Sequence, residues 1–411
     1  VLIVGTDPSS PASYNLIENN QLLNGNMRVR LDGSATGNTI RANDMEMRSY
    51  GIAPYLPSRS DPGAKWPSKP HQRHFYNVDK ILVSGVGMED DRAVGLQSIG
   101  SAIPTNNTID SNSLYGGAQG LLLGLHSGTT ISRNVMAANF SQHLYFGGDA
   151  TNLQVSDNLF SNGGQYNLRT NSMEQGGSYY FYRNRFWMPH ATDQIYLGTD
   201  PNNGGIAADS SMDLWFYHNS FSGGVAAFIA AFKPGYGPST LKILNNIFSA
   251  DNVVFNGWPE KMGAYDYNWQ YRDSVNTSWS GPNNIFSSVP LWTSASYPNF
   301  QLPTGSTARG MGLDLSRSFT VVGRTYPGLP GMAPGYFSGS RPDAGALQTG
   351  AALSLLGDVD GDGRRTLTDV RWLIEMLVGM RPKDLAKADL DGNGALTLAD
   401  CQALIRLLVG V

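Results

Sequence analysis

The chain is poor in cysteine and in charge. Cys401 is the one cysteine among 411 residues, so an internal disulfide is excluded and stability must come from a large core or from bound ions. Only 15% of the residues are charged, with a net charge of −4, which leaves no global basic field to recruit nucleic acid. No apolar run reaches the 18 residues of a membrane span, and no signal peptide is visible.

Two segments near the C-terminus share one pattern, in loops that start at Asp358 and Asp389, 31 residues apart. Each loop has oxygen-bearing side chains at positions 1, 3 and 5, glycine at position 6 and aspartate at position 12, because a hard cation needs several oxygens from one tight turn. The pattern predicts two calcium ions. The predicted ligands are Asp358, Asp360, Asp362, Arg364, Thr366 and Asp369 in the first loop, and Asp389, Asp391, Asn393, Ala395, Thr397 and Asp400 in the second, with Arg364 and Ala395 acting through their carbonyls.

Each loop is followed by an apolar stripe at helical spacing. The stripe residues are Val370, Leu373, Ile374, Leu377 and Val378, then Leu404, Ile405, Leu408 and Val409. This duplicated unit resembles a type I dockerin, which implies a small all-α calcium-binding domain at 357–411, a cohesin-like partner and a secreted, extracellular or cell-surface protein. The alternative interpretation, a calcium-stabilised cap that has no partner, also stays open. Leucine stands at loop position 10 in both copies, where cellulosomal dockerins usually carry hydroxyl residues.

The longer part of the chain repeats an asparagine at gaps near 23 residues, with an apolar residue three positions before and two after it. The repeated residues are Asn20, Asn43, Asn112, Asn134, Asn158, Asn184, Asn219, Asn246 and Asn284. A regular period with occasional insertions predicts stacked coils, and side-chain amides stacked from coil to coil can form a ladder. A β-propeller would need a longer period.

The repeat resembles a right-handed parallel β-helix of the pectate-lyase-like superfold. We therefore predict an all-β solenoid at 1–285, a C-terminal cap segment at 286–350 and a short linker at 351–356 before the dockerin-like domain. A second strand trails each asparagine by about ten residues, at Leu122, Leu144, Leu168, Ile195, Phe228 and Val254.

Strand alternation predicts a candidate site on this solenoid. If Leu144, Leu168 and Ile195 point inward, their sequence neighbours point outward. The outer rows would then be His143, Asn167 and Gln194, and Tyr145, Arg169 and Tyr196. We predict catalytic roles for His143, Tyr145, Arg169 and Tyr196, and substrate-binding roles for Asn167, Gln194 and His126. An ordinary solvated face remains an alternative interpretation.

Such rows resemble those of β-helix polysaccharide lyases and epimerases. In that chemistry a cation neutralises a uronate carboxylate while a base and an acid move a proton. Arg169 would be the cation, and His143 and Tyr145 would exchange the proton. A hydrolase would need two facing carboxylates, which the rows lack. Whether the protein is an enzyme at all stays open.

The resulting hypothesis is a secreted extracellular protein that binds or processes an acidic polysaccharide and assembles through a calcium-dependent dockerin-like domain. The alternative is a non-catalytic structural protein whose copies join head to tail into extracellular filaments or matrix. That alternative depends on the apolar first strand at 1–4, because unpaired strand edges invite another subunit.

Overall fold

The structure is a computed structural model that divides into two compact units, Val1–Met332 with Arg341–Leu347, and Ala333–Ser340 with Gln348–Val411. It describes residues 2–5, 9, 11–23, 27–46, 92–97, 103–115, 119–124, 126–137, 142–146, 150–161, 166–170, 177–188, 194–198, 212–224, 226–231, 240–249, 252–256, 262–271, 280–292, 300–349, 357, 359, 367–380, 388, 390 and 395–409. No helix within these ranges is both long and apolar enough to cross a membrane.

The described part of the first unit is a β-solenoid of three long parallel sheets. The first sheet holds Leu2–Gly5, Met27–Gly33, Arg92–Gln97, Gln119–Leu123, Gln142–Phe146, Tyr166–Thr170, Ile195–Gly198, Ala226–Ala231 and Asn252–Asn256. The second holds Leu16–Glu18, Thr39–Arg41, Thr108–Asp110, Thr130–Ser132, Leu153–Ser156, Ser178–Tyr182, Asp213–Tyr217, Thr240–Leu244 and Met262–Asp266. The third holds Gln21–Leu23, Asp44–Glu46, Ser113–Tyr115, Val135–Ala137, Leu159–Ser161, Arg185–Met188, Ser220–Gly223, Ile247–Ser249, Trp269–Tyr271 and Ile285–Ser287.

Two small sheets accompany the long ones. His126–Ser127 pairs in parallel with Ala150–Thr151, and Phe319–Val321 forms an antiparallel hairpin with Arg324–Tyr326. The predicted parallel β-solenoid is confirmed, and its right-handed winding stays a prediction.

The core lies inside the coils, where equivalent apolar residues of successive coils stack in register. Phe186 stacks on Phe160 with ring centroids 4.7 Å apart and on Phe221 at 4.6 Å. The second sheet contributes the row Ile17, Ile40, Ile109, Ile131, Val155, Phe181, Phe216, Ile243 and Tyr265, all buried. Burying such continuous rows supplies the main favourable free energy of folding.

Leu144, Leu168 and Ile195, predicted to point inward from the first sheet, are fully buried, whereas the second-strand positions given at Leu122 and Val254 are one residue away from the residues that share their register. Leu121, not Leu122, pairs with Leu144 and is fully buried. Val253, not Val254, pairs with Phe228.

The asparagine ladder is confirmed and has one more member than predicted, Asn268. From Asn20 to Asn284, each Nδ2 donates to Oδ1 of the next ladder asparagine at 3.0–3.2 Å. Each backbone N–H donates to that same oxygen at 2.9–3.0 Å. The asparagines therefore satisfy the polar backbone of the turns between the second and third sheets.

The residue before a ladder asparagine is left-handed in nine of the ten turns. Its φ lies between 51° and 58° at Asn19, Ala42, Ser111, Arg133, Asp157, Arg183, His218, Asn245 and Tyr267. A single left-handed residue bends the chain sharply from one sheet to the next. The side chains at this position consequently project from the corner of the solenoid.

The C-terminal part of the first unit packs on the outside of the last coils. Ile247 and Trp269, which alternate with the inward residues of the third sheet, are buried against this segment. The covering residues are Trp292, Phe300, Leu302, Ala308, Met311 and Ala344. The predicted boundaries of the solenoid, cap segment and linker stay predictions.

The second unit contains two helices, α1 (Leu367–Leu377) and α2 (Leu398–Val409). Its core consists of Val359, Val370, Leu373, Met376, Ala388, Leu396, Cys401 and Leu404. The helices expected after the two loops are thus present. Three residues of the predicted apolar stripes, Ile374, Val378 and Ile405, are exposed instead of buried.

Candidate functional sites

The first sheet carries a row of three predicted site residues on its outer face. Tyr145 pairs with Arg169, and Arg169 pairs with Tyr196, so the three side chains follow one another from coil to coil. All three are half-buried. The structure therefore brings Tyr145, Arg169 and Tyr196 together as the alternation predicted.

Tyr166 joins this row, although strand alternation does not predict it there. Its ring lies 5.3 Å from that of Tyr196, and the Arg169 guanidinium carbon lies 5.7 Å from its centroid. Tyr166 precedes Arg169 by three residues on one strand, and that spacing alone does not distinguish it from a core tyrosine. We call Tyr145, Tyr166, Arg169 and Tyr196 the tyrosine-arginine face.

The other predicted row is not on the surface, and this expectation was wrong. His143, Asn167 and Gln194 are fully buried. The Gln194 Nε2 donates to the carbonyls of Ser222 at 3.0 Å and Gly223 at 2.6 Å. His143 and Gln194 are thus held inside by backbone carbonyls at the end of the third sheet, which need donors.

His143 cannot act as a base towards a ligand outside the coils. Its Nε2 lies 2.9 Å from the Ser161 carbonyl, so this nitrogen carries the hydrogen and donates it. Burial lowers the pKa of His143 to about 3, against the opposing effect of that hydrogen bond. The imidazole is therefore neutral and enclosed at physiological pH.

His126 is also buried, which removes it from the predicted substrate-binding set. It is 1% exposed, and burial lowers its pKa to about 3. Together with Asn167 and Gln194, it cannot reach a polysaccharide on the outer face. The accessible chemistry of the predicted solenoid site thus reduces to phenol rings and one guanidinium.

The tyrosine-arginine face suits recognition of an anionic, partly apolar chain. A guanidinium binds carboxylates with paired N–H donors. Tyrosine rings offer apolar faces and a polar tip, which matches a sugar ring with its hydroxyls. Its described members provide no imidazole, and a proton transfer there would depend on the tyrosine hydroxyls.

In the second unit, Asp400 forms a capping box at the start of α2. The backbone N–H of Thr397 donates to Asp400 Oδ2 at 2.8 Å, and the N–H of Ala399 donates to Thr397 Oγ1 at 3.2 Å. Such reciprocal bonds satisfy the free N–H groups of a helix start. The sequence signal is Thr-x-x-Asp, and the first copy repeats it at Thr366 and Asp369.

Asp400 also ties the helix start to its own loop, since the Leu390 N–H donates to Asp400 Oδ1 at 2.7 Å. Its counterpart in the first copy, Asp369, is likewise fully buried. Two buried carboxylates at equivalent ends of acidic loops are the donor type that a calcium ion takes. These residues therefore fit the metal that the loops predict.

The other predicted calcium ligands are only partly covered by the structure. Ala395 and Thr397 are described, whereas Asp358, Asp360, Asp362, Arg364, Thr366, Asp389, Asp391 and Asn393 lie outside the described residues. Within the described part of the chain, no three acidic, histidine or cysteine side chains form a metal cluster.

Comparison with known protein families identifies the second unit. The dockerin type I domain family matches residues 356–409, which confirms the resemblance at the C-terminus. Such a domain implies a cohesin partner and an extracellular assembly role. A search of curated proteins gave no significant match to the chain.

Proposed function

We propose that this is a secreted solenoid protein that docks onto a cohesin through a calcium-loaded dockerin domain and binds an acidic polysaccharide on its tyrosine-arginine face. The observation that carries the proposal is the duplicated loop and helix at 356–409. Assembly modules of this kind join a second activity to a scaffold, and the solenoid supplies the surface for that activity.

Calcium would be held by the side chains and carbonyls predicted from the two loops, with Asp369 and Asp400 closing them. When bound, the ion neutralises carboxylates that would otherwise repel one another. The protein itself positions Asp400, because the Thr397 and Leu390 N–H groups donate to its carboxylate and connect Leu390 to the start of α2. Two ions per domain are part of the proposal.

Exposed apolar side chains support docking through the helices. Leu398 is 71% exposed at the first residue of α2, and Ile405 lies seven residues further along the same helix at 41%. In α1, Ile374 is 46% exposed, and it precedes Ile405 by the same 31 residues that separate the loops. A partner surface with apolar contacts would suit these positions.

Binding is favoured over cleavage on the solenoid face. Proton abstraction beside a uronate carboxylate needs a base as well as a cation, and the predicted histidine base is buried. Tyr145, Arg169 and Tyr196 retain the proposed contacts to the glycan. A lyase or epimerase reaction would have to use a tyrosine hydroxyl in place of His143.

The proposal is tested by immobilising a panel of type I and type II cohesins and measuring capture of the full chain with calcium and with a chelator. Capture in calcium that disappears with chelator supports docking. If the protein is monomeric and captures no cohesin, the result favours a calcium-stabilised cap without a partner. If light scattering shows assemblies whose size grows with protein concentration, the result favours the head-to-tail alternative. Binding to pectate, alginate and neutral glucans is measured separately.

A further inference from the structure

His218 is fully buried although it occupies a corner position of the solenoid. It has a φ of 53° and precedes the ladder residue Asn219, as Arg133 precedes Asn134. Arg133 is exposed at its corner, whereas His218 is 0% exposed. The difference arises because residues 311–332 and 341–347, here called the clasp, cover the later corners.

The clasp fixes the orientation of the Asn245 side chain beside His218. The Leu313 N–H donates to Asn245 Oδ1 at 2.9 Å, and Asn245 Nδ2 donates to the Leu313 carbonyl at 2.8 Å. Exchanging the oxygen and nitrogen of this amide would break both bonds. The Asn245 Nδ2 must therefore stay where it is, 2.9 Å from Nε2 of His218.

This arrangement dictates the protonation state of the imidazole. Because Asn245 Nδ2 is a donor, the His218 Nε2 must accept, and the one ring hydrogen must be on Nδ1. A second hydrogen on Nε2 would place two donors against each other at 2.9 Å. The closed clasp is compatible only with a neutral His218.

The same corner residues hold the clasp by its backbone. The Gly345 N–H donates to the Asn245 carbonyl at 2.7 Å, and the Ala346 N–H donates to Ser220 Oγ at 2.8 Å. Gly345 has a φ of 90°, and a Cβ there would lie 2.5 Å from Ile247 Cδ1. Only glycine permits so close an approach, so a small displacement at this corner breaks several contacts together.

We propose that protonation of His218 releases the clasp, which makes the C-terminal cover of the solenoid sensitive to acid. Release would uncover the outward side chain of Ile247, which is buried and lies against Gly345 of the clasp. The device is separate from the dockerin domain, and it does not depend on the proposed docking or glycan binding.

The groups around His218 shift its pKa in both directions. Burial, the largest influence, and the positive charge of Arg183 both lower its pKa, which comes to about 3. Asp314 and hydrogen bonds with the backbone of Gly345 and Asp343 favour the charged form. Because burial prevails, the proton is taken up by the open state, where a histidine has its ordinary pKa near 6.5.

Arg183 makes release cooperative. Its Nη1 donates to the Gly331 carbonyl of the clasp at 2.7 Å, and the adjacent Tyr217 hydroxyl donates to Pro330 O at 2.7 Å. A charged His218 would repel the guanidinium that forms this second attachment. With one proton bound on opening, the opening equilibrium should rise up to about tenfold per pH unit below about 6.5.

Hydrogen exchange of the full chain in saturating calcium, from pH 7 to pH 4 and corrected for intrinsic rates, tests the proposal. In the wild-type protein, peptides covering the clasp should lose protection before peptides from the interior strands. His218→Gln keeps one acceptor and one donor but does not titrate in this range, so its clasp should stay protected. His143→Gln, which alters a histidine remote from the clasp contacts, should leave the wild-type clasp profile unchanged.

Clasp protection that falls only together with that of the core, or an identical acid response in His218→Gln, would overturn the proposal. If His218→Gln does not fold, ring resonances of wild-type His218 decide the matter. We expect slow exchange between a neutral buried signal and an exposed signal that titrates near 6.5. A His218 signal that titrates while the clasp remains closed would contradict it.

Discussion

The side-chain amide of Asn184 donates to Oδ1 of Asn219 at 3.1 Å, and the backbone N–H of Asn184 donates to the same oxygen at 3.0 Å. Asn184 also donates to the Val155 carbonyl at 2.8 Å. One buried asparagine thus links three consecutive coils, because its own Oδ1 accepts from Asn158. The ladder acts as a continuous polar spine inside an otherwise apolar solenoid.

We predict that Asn184→Ala lowers the free energy of unfolding by about 3 kcal/mol, because buried donors and acceptors on both neighbouring coils lose their partners. Asn20→Ala is the matched control. Asn20 is an exposed ladder member, and its loss should change stability by less than about 1 kcal/mol. Denaturant unfolding of both variants measures this, and equal losses would show that burial of the ladder does not decide its contribution.

The period of this ladder is what the sequence predicts most reliably. Asn268 is not evident from a period near 23 residues, because the interval from Asn246 to Asn284 holds two coils of unequal length, 22 and 16 residues. A second ladder of Asn15, Asn38 and Asn107 was not predicted either. Among the described residues this second ladder covers three coils, and so short a run lacks a distinctive period.

The outer face could be predicted only where strand alternation holds. It holds for Tyr145, Arg169 and Tyr196, which lie within paired strands. It fails for His143 and Gln194, because these buried side chains at the entry to the first sheet donate to carbonyls at the end of the third-sheet strand that follows them in the chain. The need of those carbonyls for donors is set by the three-dimensional path of the chain and is not visible in a binary pattern.

Acid should destabilise the solenoid through its enclosed histidines. Burial lowers the pKa of His126 and of His143 to about 3 in the folded state, while the unfolded value is about 6.5. Above pH 6.5 both states are neutral; between 6.5 and 3 only the unfolded state takes up the proton, so stability falls as the pH falls. Between these two pKa values, each such histidine lowers the free energy of unfolding by about 1.4 kcal/mol for every pH unit of acidification.

His143→Gln isolates this contribution, because glutamine can still donate to the Ser161 carbonyl but does not titrate. Unfolding free energies at pH 7, 6 and 5 in saturating calcium should show a shallower decline for the variant than for the wild type, by up to about 1.4 kcal/mol per pH unit. Parallel declines would mean that the buried His143 is not responsible.

Arg169→Ala should weaken binding to pectate or alginate by about 10- to 100-fold, because a charge-assisted contact to a carboxylate contributes about 1.5–3 kcal/mol. Arg133→Ala is the control, since Arg133 is exposed on another face and pairs with Asp110 at 2.6 Å. Affinity electrophoresis with each glycan measures the effect. If the two variants bind alike, the tyrosine-arginine face is not the binding surface.

Asp400→Asn should destabilise the start of α2 in the presence of calcium, because a neutral amide weakens both the capping box and a calcium contact. Hydrogen exchange at Leu398–Val409 should increase, with little change in the solenoid strands. Glu375→Gln, which alters an acidic residue of α1 paired with the exposed Arg371 at 2.8 Å, serves as the control. Unchanged protection of α2 in Asp400→Asn would argue against its role in closing the second loop.

We propose above all that the C-terminal unit is a dockerin domain whose fold is stabilised by two bound calcium ions. Titration calorimetry of the calcium-stripped full chain tests it most directly. The account predicts two ions per wild-type chain and the loss of one in Asp400→Ala, because each loop supplies its own ligand set. Wild-type protein that takes up no calcium, or an Asp400→Ala chain that still binds two ions with wild-type affinity, would contradict it.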